Sequence, residues 1–151
     1  MSLQTDTVFI KALSGNAELM ARIGATADSL PRLYGTAIPL PDEDAENVPV
    51  PYIIVTFDGM NNDAQTKDDP YEGDGDVVNI GVTVVGRNLA ELHTLTQTVR
   101  DTILQYMRTT ETEVEDYQMT ASAIQYDSWK PCYWQSLNYA CDTDRDNNGE
   151  D

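Results

Sequence analysis

His93 is the only histidine of the chain, and no serine or cysteine stands at the spacing of a catalytic motif from it. A nucleophilic triad needs a serine or cysteine beside the imidazole, and no G-x-S-x-G, H-E-x-x-H or C-x-x-C motif occurs. Asp58 and Asp63 are acids that a small enzyme would use, but neither belongs to a recognisable motif. We therefore predict no catalytic residue and no cofactor.

The strongest metal-like pattern lies near the end of the chain. Positions 1, 3, 5 and 9 of an EF-hand calcium loop would be filled by Asp142, Asp144, Asp146 and Glu150. Asn147 stands where that loop requires glycine, and the sequence stops before the bidentate glutamate of position 12. We therefore predict no metal site and interpret this segment as a solubilising tail. The four acids remain only weak candidates for binding calcium.

Cys132 and Cys141 are the only two cysteines. They are separated by an odd number of positions, so in a single strand their side chains point to opposite faces and cannot form a disulfide. A hairpin between them would need turn residues, and the central segment Gln135-Ser136-Leu137 contains neither glycine nor proline. We expect two free thiols.

The net charge excludes several classes of partner. The chain has nine Lys and Arg residues against 26 Asp and Glu residues, a net charge of -17. Nucleic-acid phosphates and anionic membranes bind cationic side chains, so we predict neither as a ligand. No segment approaches the roughly 20 apolar residues of a membrane span, and residues 1–13 lack the pattern of a signal peptide. We expect a cytoplasmic protein.

A strand and a long helix form the best specified part of the sequence. Residues 78–84 alternate between Val or Ile and polar or small residues, which predicts a strand with one buried face. Asn88 is placed to cap the following helix, and Glu91 completes a capping box. The apolar stripe of that helix consists of Leu89, Leu92, Leu95, Val99, Ile103 and Tyr106. We interpret this stripe as packing on the sheet, although a partner-binding groove would have the same pattern.

Shorter elements are predicted on both sides of this unit. Residues 5–24 indicate two short helices, interrupted at Ser14-Gly15, with Asn16 as the cap of the second and Gly24 as its end. Residues 25–49 are mostly irregular. Further strands are predicted over residues 52–57, 119–126 and 132–141. A chain of 151 residues is normally one domain, which we place at residues 1–141, followed by an acidic tail at 142–151.

Three surfaces are candidates for contacts with other proteins. The strand over 52–57 is partly apolar on its second face, which is covered either by an additional core layer or by another subunit. The polar connection 58–76 is a hairpin arm of the kind that orders against a partner, and the strand over 132–141 has aromatic residues on both faces. The candidate contact residues are Tyr52, Ile54, Thr56, Lys67, Asp68, Tyr71, Tyr133, Trp134 and Tyr139.

The order of elements over residues 5–107 resembles the tail completion or tail terminator family of long-tailed phages and prophages. The residues that carry this resemblance are Pro51, Tyr52, Lys67, Asp68, Ile80, Leu92, Val99 and Arg100. The segment PDEDAENVPVP is bulkier than the usual connection of the family. The resemblance implies an α+β fold, with a mostly antiparallel β-sheet and helices packed on one face.

The resemblance also implies an assembly role without catalysis. Members form a ring, commonly a hexamer, that ends the tail tube, binds the tail tube protein and joins the tail to the connector of the head. The protein would then lie in the virion tail, after assembly in the host cytoplasm, and an acidic lumen would let DNA pass without binding it. The alternatives are another head-tail connector or adaptor protein, and, from a different class, a small cytoplasmic enzyme or a calcium-responsive module.

Overall fold

A computed structural model describes residues 4–35, 48–62, 76–128 and 130–143. These residues form three helices and six strands, and the fold is α+β. The helices are α1 (Thr5–Ser14), α2 (Ala17–Arg22) and α3 (Leu89–Thr109). The strands are β1 (Leu33–Gly35), β2 (Tyr52–Asn62), β3 (Asp76–Gly86), β4 (Val114–Ala121), β5 (Gln125–Asp127) and β6 (Cys132–Thr143).

The six strands form one sheet in the order β1-β2-β3-β6-β4, with β5 following β4 along the same edge of β6. Only β1 and β2 are parallel, and every other pair is antiparallel. The prediction of a mostly antiparallel sheet is therefore confirmed. Because β3 pairs with β6 along its whole length, these two strands form the centre of the sheet.

The core lies between the helices and one side of the sheet, which we call the inner face. On β3 it contains the predicted alternating residues, Val78, Ile80, Val82 and Val84. Helix α3 contributes Leu92, Leu95, Val99 and Ile103, and burial of each such side chain stabilises the fold by roughly 1.5–3 kcal/mol. At the two ends of the predicted stripe, Leu89 is exposed and Tyr106 is half-buried. The stripe is thus a core element over its central turns.

Side-chain caps define where α2 and α3 begin. The Asn88 side-chain oxygen accepts a hydrogen bond from the Glu91 amide at 2.8 Å, as predicted. The Glu91 carboxylate, however, accepts from the amide of Arg87 at 2.8 Å, one residue before the position that a capping box requires. In the N-terminal pair, the Asn16 side chain caps α2 through the Leu19 amide at 3.0 Å, and Gly24 follows the helix with φ of 103°. Both predictions for α2 are confirmed.

Two assignments need correction. The region 25–49 contains β1, which the sequence analysis assigned to irregular structure. Strand β4 occupies Val114–Ala121 in place of 119–126, and β5 accounts for part of the remainder. A register shift between Val114 and Asp116 explains the error, because Val114 and Tyr117 both face the core although they are three positions apart. Simple alternation cannot detect such a strand.

The end of β6 also differs from the predicted boundary. The strand continues to Thr143, which is buried and pairs with Asp76. Asp142, which we assigned to the tail, therefore lies within the sheet. No described helix is both long enough and apolar enough to cross a bilayer.

Candidate interaction surface

The side of the sheet opposite the helices, the outer face, carries an apolar patch at one end. Tyr52, Val85 and Trp134 lie side by side on β2, β3 and β6, because the register pairs Tyr52 with Val85 and Val85 with Trp134. Val85 is only 4% exposed, whereas Tyr52 and Trp134 are half-buried on either side of it. Ile54 and Tyr34 occupy the adjacent row. We call these five residues the outer patch.

Neighbouring groups hold Tyr52 in place. Its ring meets that of Tyr34 edge-on, with centroids 6.2 Å apart. The Lys130 ammonium lies 5.8 Å from the Tyr52 centroid and donates a hydrogen bond to the Val48 carbonyl. Burial, with smaller contributions from Cys132 and Asp127, raises the pKa of the Tyr52 phenol. The phenol therefore stays neutral and available as a hydrogen-bond donor at physiological pH.

Hydroxyl groups cover the middle of the outer face. Thr83 and Ser136 are paired across β3 and β6, and their hydroxyls are 2.9 Å apart. The Thr56 hydroxyl donates to the Asp58 carboxylate at 2.8 Å. A Cβ atom at Gly81 would lie 2.5 Å from the Asp58 Oδ2 atom, so the carboxylate rests against the sheet where this glycine leaves room. The middle of this face is consequently polar but uncharged apart from Asp58.

Carboxylates mark the far end of the outer face. Asp116 on β4 is the register partner of Asp142 on β6, and both side chains are exposed. The next pair along the strands is Gln118 and Ala140. The outer face therefore changes from apolar to hydroxyl-bearing to acidic along the strand direction.

The structure separates the predicted contact residues into three groups. Tyr52, Ile54, Thr56 and Trp134 lie together on the outer face. Tyr133 points to the inner face, where its ring lies 4.9 Å from that of the exposed Tyr126. The remaining candidates Lys67, Asp68 and Tyr71 lie outside the described residues.

Tyr139 is a core residue, and its assignment to an exposed contact surface was wrong. The side chain is 2% exposed, and its ring centroid lies 5.0 Å from that of Phe9 and 5.5 Å from that of Tyr117. Its hydroxyl is buried without a hydrogen-bond partner among the described residues. Burial raises the pKa of this phenol well above its ordinary value. Tyr139 packs where α1 meets the sheet and stabilises the monomer.

The outer patch includes two residues that the sequence analysis did not select. Tyr34 lies in β1, within the region assigned to irregular structure, and the paired Tyr residues become visible only once β1 is placed beside β2. Val85 follows the alternating run on the side opposite the core. The only sequence signal for it was that the apolar run continues through two adjacent valines, Val84 and Val85.

The two cysteines are free, as expected, and both are buried. Cys141 lies in the core cluster on the inner face. Cys132 is at the start of β6 and alternates with Tyr133, so it lies on the outer face. Burial, reinforced by Asp142 and Glu113, raises the pKa of the Cys141 thiol to about 12. Burial also raises the pKa of the Cys132 thiol. Because the thiolate is the reactive form, neither group is suited to nucleophilic catalysis.

The described residues contain no grouping that resembles an active site or metal centre. His93 is exposed on α3, and no cluster of three His, Cys, Asp or Glu residues within 4–35, 48–62, 76–128 and 130–143 could hold a metal ion. Among the calcium candidates, Asp142 lies in β6, and Asp144, Asp146 and Glu150 lie outside the described residues.

A groove of about 610 Å³ separates the end of α1 from α3. Its lining includes the small residues Ala12 and Gly15 and threonines of α3. Among the described residues that line it, the titratable side chains are Asp101 and Tyr106.

A solved structure shares the fold of this chain. The chain is similar in structure to a chain of the virion of a native gene transfer agent particle. That alignment has a TM-score of 0.58 and 14% sequence identity, and it covers 91% of this chain and 92% of the other. At this identity the likeness concerns the fold.

A second solved structure, the pyrrolysyl-tRNA synthetase of Desulfitobacterium hafniense, aligns with a TM-score of 0.44 and 11% identity. That alignment covers 91% of this chain and 66% of the synthetase chain, and its score is too low to support an argument. Comparisons with protein families and with curated proteins found no match.

Proposed function

We propose that this chain is a structural protein of a phage-like virion and acts as a tail terminator, or tail completion, protein. The observation that carries the proposal is the shared fold, over nearly the whole length of both chains, with a chain of a gene transfer agent virion. The family resemblance of residues 5–107 supports the same class of protein. In this role the chain forms a ring, a hexamer in most members of the family, that closes the tail tube and joins it to the head connector.

The outer face supports a role in assembly. It holds half-buried apolar side chains, namely Tyr52, Ile54 and Trp134, on the side of the sheet that the described helices leave uncovered. Large apolar groups on an open sheet face are typical of surfaces that meet another protein. Closed rings are built from contacts in which one surface of a subunit meets a different surface of the next.

Deletion of the gene in a strain that produces the particles tests the proposal. Without a terminator, tail tubes are expected to lack a defined end, so electron micrographs should show tails of irregular length and heads without tails. Expression of the wild-type chain should restore complete particles. If particles of normal length and composition form without the gene, the proposal is wrong.

Binding experiments separate the terminator from the alternative connector role. Purified protein mixed with isolated tail tubes should bind one end of each tube, as seen by negative-stain microscopy. Binding to heads alone would favour the connector or adaptor function. Turnover of a small molecule would contradict both and favour an enzyme.

The Ile54→Lys variant tests the contribution of the outer patch. We expect the monomer to fold and the ring to weaken, because a charge replaces an apolar group at the contact. Leu30→Lys is the control, since it also exchanges an aliphatic side chain for lysine but lies exposed in the loop after α2. An intact oligomer in Ile54→Lys would remove this face from the contact.

A further inference from the structure

The cationic side chains of this acidic protein are concentrated among its helices. Five of the seven Lys and Arg residues in the described ranges lie on or next to α1, α2 and α3. They are Lys11, Arg22, Arg87, Arg100 and Arg108. Residues 4–24 and 87–109 contain these five cations against four carboxylates, a net charge of +1, whereas all the described residues together contain seven cations against 13 carboxylates, a net charge of -6. Glu113 also lies on this side, because its carboxylate accepts a hydrogen bond from the Thr5 hydroxyl of α1 at 2.5 Å, so the helical side is close to neutral in an acidic protein.

Three of these cations are available for an external partner. Arg22 and Arg87 are engaged by Glu18 and Glu91, with nitrogen to oxygen distances of 3.5 and 2.6 Å. Lys11, Arg100 and Arg108 are exposed and form no ion pair with any described residue. Arg100 and Arg108 are eight residues apart on α3, so at 1.5 Å per residue their backbones are separated by roughly 12 Å. We call these three residues the helix-side cations.

The outer face has the opposite charge. Asp58, Asp116 and Asp142 present carboxylates there, and none of them forms an ion pair within the described part of the chain. Lys130, the cation at the other end of this face, is turned towards the Val48 carbonyl and the Tyr52 ring. We call the three acids the outer-face carboxylates.

We propose that the outer face of one copy of this chain docks on the helical side of the next copy, with the outer-face carboxylates opposite the helix-side cations. Two outer faces placed together with their strands in the same direction would oppose carboxylate to carboxylate, and with opposite directions they would bury the carboxylates against the apolar outer patch. Two helical sides would oppose cation to cation. Such like-charge contacts disfavour association, whereas the head-to-tail arrangement satisfies both charge sets. The outer patch supplies the apolar area of the contact.

A repeated head-to-tail contact forms a closed ring when its rotation closes. This inference deepens the proposed function by naming the two faces that build the ring. The closure of the contacts into a ring rests on the proposed function. The contact between two copies is argued from the charge distribution and does not depend on that function.

Charge reversal on each face gives a decisive experiment. The sheet variant carries Asp58→Lys and Asp142→Lys, and the helix variant carries Arg100→Glu and Arg108→Glu. Self-association is measured by sedimentation velocity at high protein concentration and low salt. The wild-type chain should associate, and each variant alone should lose at least about tenfold in association constant, because the net charges of its two charge sets then have the same sign.

An equimolar mixture of the two variants should recover association. The lysines of the sheet variant then meet the glutamates of the helix variant, and the unchanged faces of the two variants also complement each other. Recovery to within about threefold of the wild-type constant is expected, and it would show at the same time that both variants are folded. Higher salt should weaken all of these complexes, because the screening length falls from about 10 Å at 0.1 M to about 3 Å at 1 M.

Asp28→Lys is the control for a change of charge outside both charge sets, since Asp28 belongs to neither and is exposed in the loop after α2. It should change the association constant by less than about twofold. A wild-type chain that remains monomeric, variants that associate like the wild type, or folded variants that fail to complement would each overturn the inference. Loss of association in the sheet variant alone, with the helix variant unaffected, would overturn it in favour of contact between two outer faces.

Different results would overturn the virion role and the head-to-tail contact. If the faces behave as described but deletion of the gene leaves particles unchanged, the head-to-tail contact holds and the virion role is wrong. If deletion disrupts the tails but the charge variants associate normally, the virion role holds and the ring uses other faces.

Discussion

Asp116 and Asp142 lie directly opposite each other on the antiparallel strands β4 and β6, with both side chains exposed on the outer face. Like charges in directly paired positions destabilise a sheet. The monomer therefore carries an unfavourable local interaction at one end of a face that the described helices leave open. Such an arrangement is consistent with selection for a surface that meets cations of a partner.

Replacing Asp142 with threonine should stabilise the isolated monomer by about 0.5 kcal/mol, because the cross-strand repulsion is removed and threonine suits a strand. Urea unfolding at low salt measures the change in the free energy of unfolding. The gain should shrink at high salt, where the repulsion is already screened. Asp28→Thr is the control outside the sheet and should leave stability unchanged. A loss of stability in Asp142→Thr would show that the repulsion is absent.

Tyr139→Phe should raise the free energy of unfolding by about 1 kcal/mol, because it removes a buried hydroxyl that has no hydrogen-bond partner among the described residues. The ring contacts with Phe9 and Tyr117 remain. Thermal or urea unfolding measures the effect. Tyr126→Phe, at an exposed position, should have no effect. Destabilisation of Tyr139→Phe would mean that the hydroxyl is hydrogen-bonded in solution.

Glu91→Gln should lower stability at neutral pH by about 0.5 kcal/mol, after allowance for solvent screening at this partly exposed pair. The hydrogen bond from the Arg87 side chain is the main cause that lowers the pKa of Glu91, and the Arg87 amide contributes. A lowered pKa means that the stabilisation is complete above about pH 4.3, the ordinary value for glutamate, and disappears as the pH falls through the folded-state pKa.

The difference between the wild type and Glu91→Gln should therefore vanish in acid. Unfolding curves collected from neutral to acidic pH measure it. Glu18→Gln, which removes a longer and more exposed ion pair with Arg22, should give a much smaller change at every pH. A difference that is independent of pH would assign the effect of Glu91 to packing instead of charge.

Gly59→Ala should destabilise the protein by about 1–2 kcal/mol, because Gly59 has φ of 125° in the bulge of β2 and an alanine is strained there. No atom lies within 4 Å of the added methyl, so the cost arises from the backbone alone. Gly15→Ala is the matched control. Its φ is -76°, and its added Cβ makes ordinary contacts at 3.6 Å, so it should be neutral or slightly stabilising.

Long periodic segments could be predicted from the sequence because local chemistry determines them. Asn88 fixes the start of α3, and the alternation of β3 fixes its buried face without reference to other elements. Strand β4 could not be placed, since the shift after Val114 breaks the alternation that identifies a strand. The burial of Tyr139 also escaped prediction, because Gln135 shares its side of β6 and made that side look polar.

The candidate surface was harder to predict from the sequence, because its residues come together only in the folded chain. Tyr52, Ile54 and Thr56 were selected from one strand, but only the strand order brings Trp134 to the same face. The grouping of Asp58 with Asp142, and of Lys11 with Arg108, joins residues that are far apart in the chain. Charge segregation of this kind is a property of the folded surface and has no local signal in the sequence.

The lack of a side chain at Gly81 has a consequence for recognition at the outer face. The Asp58 carboxylate lies over this bare backbone and is held by the Thr56 hydroxyl, so its orientation is set before any partner arrives. A pre-organised charge loses little rotamer entropy on binding, which favours a specific complex over a diffuse attraction. Any larger residue at position 81 would displace this carboxylate from the backbone and give the Asp58 side chain more rotamer freedom.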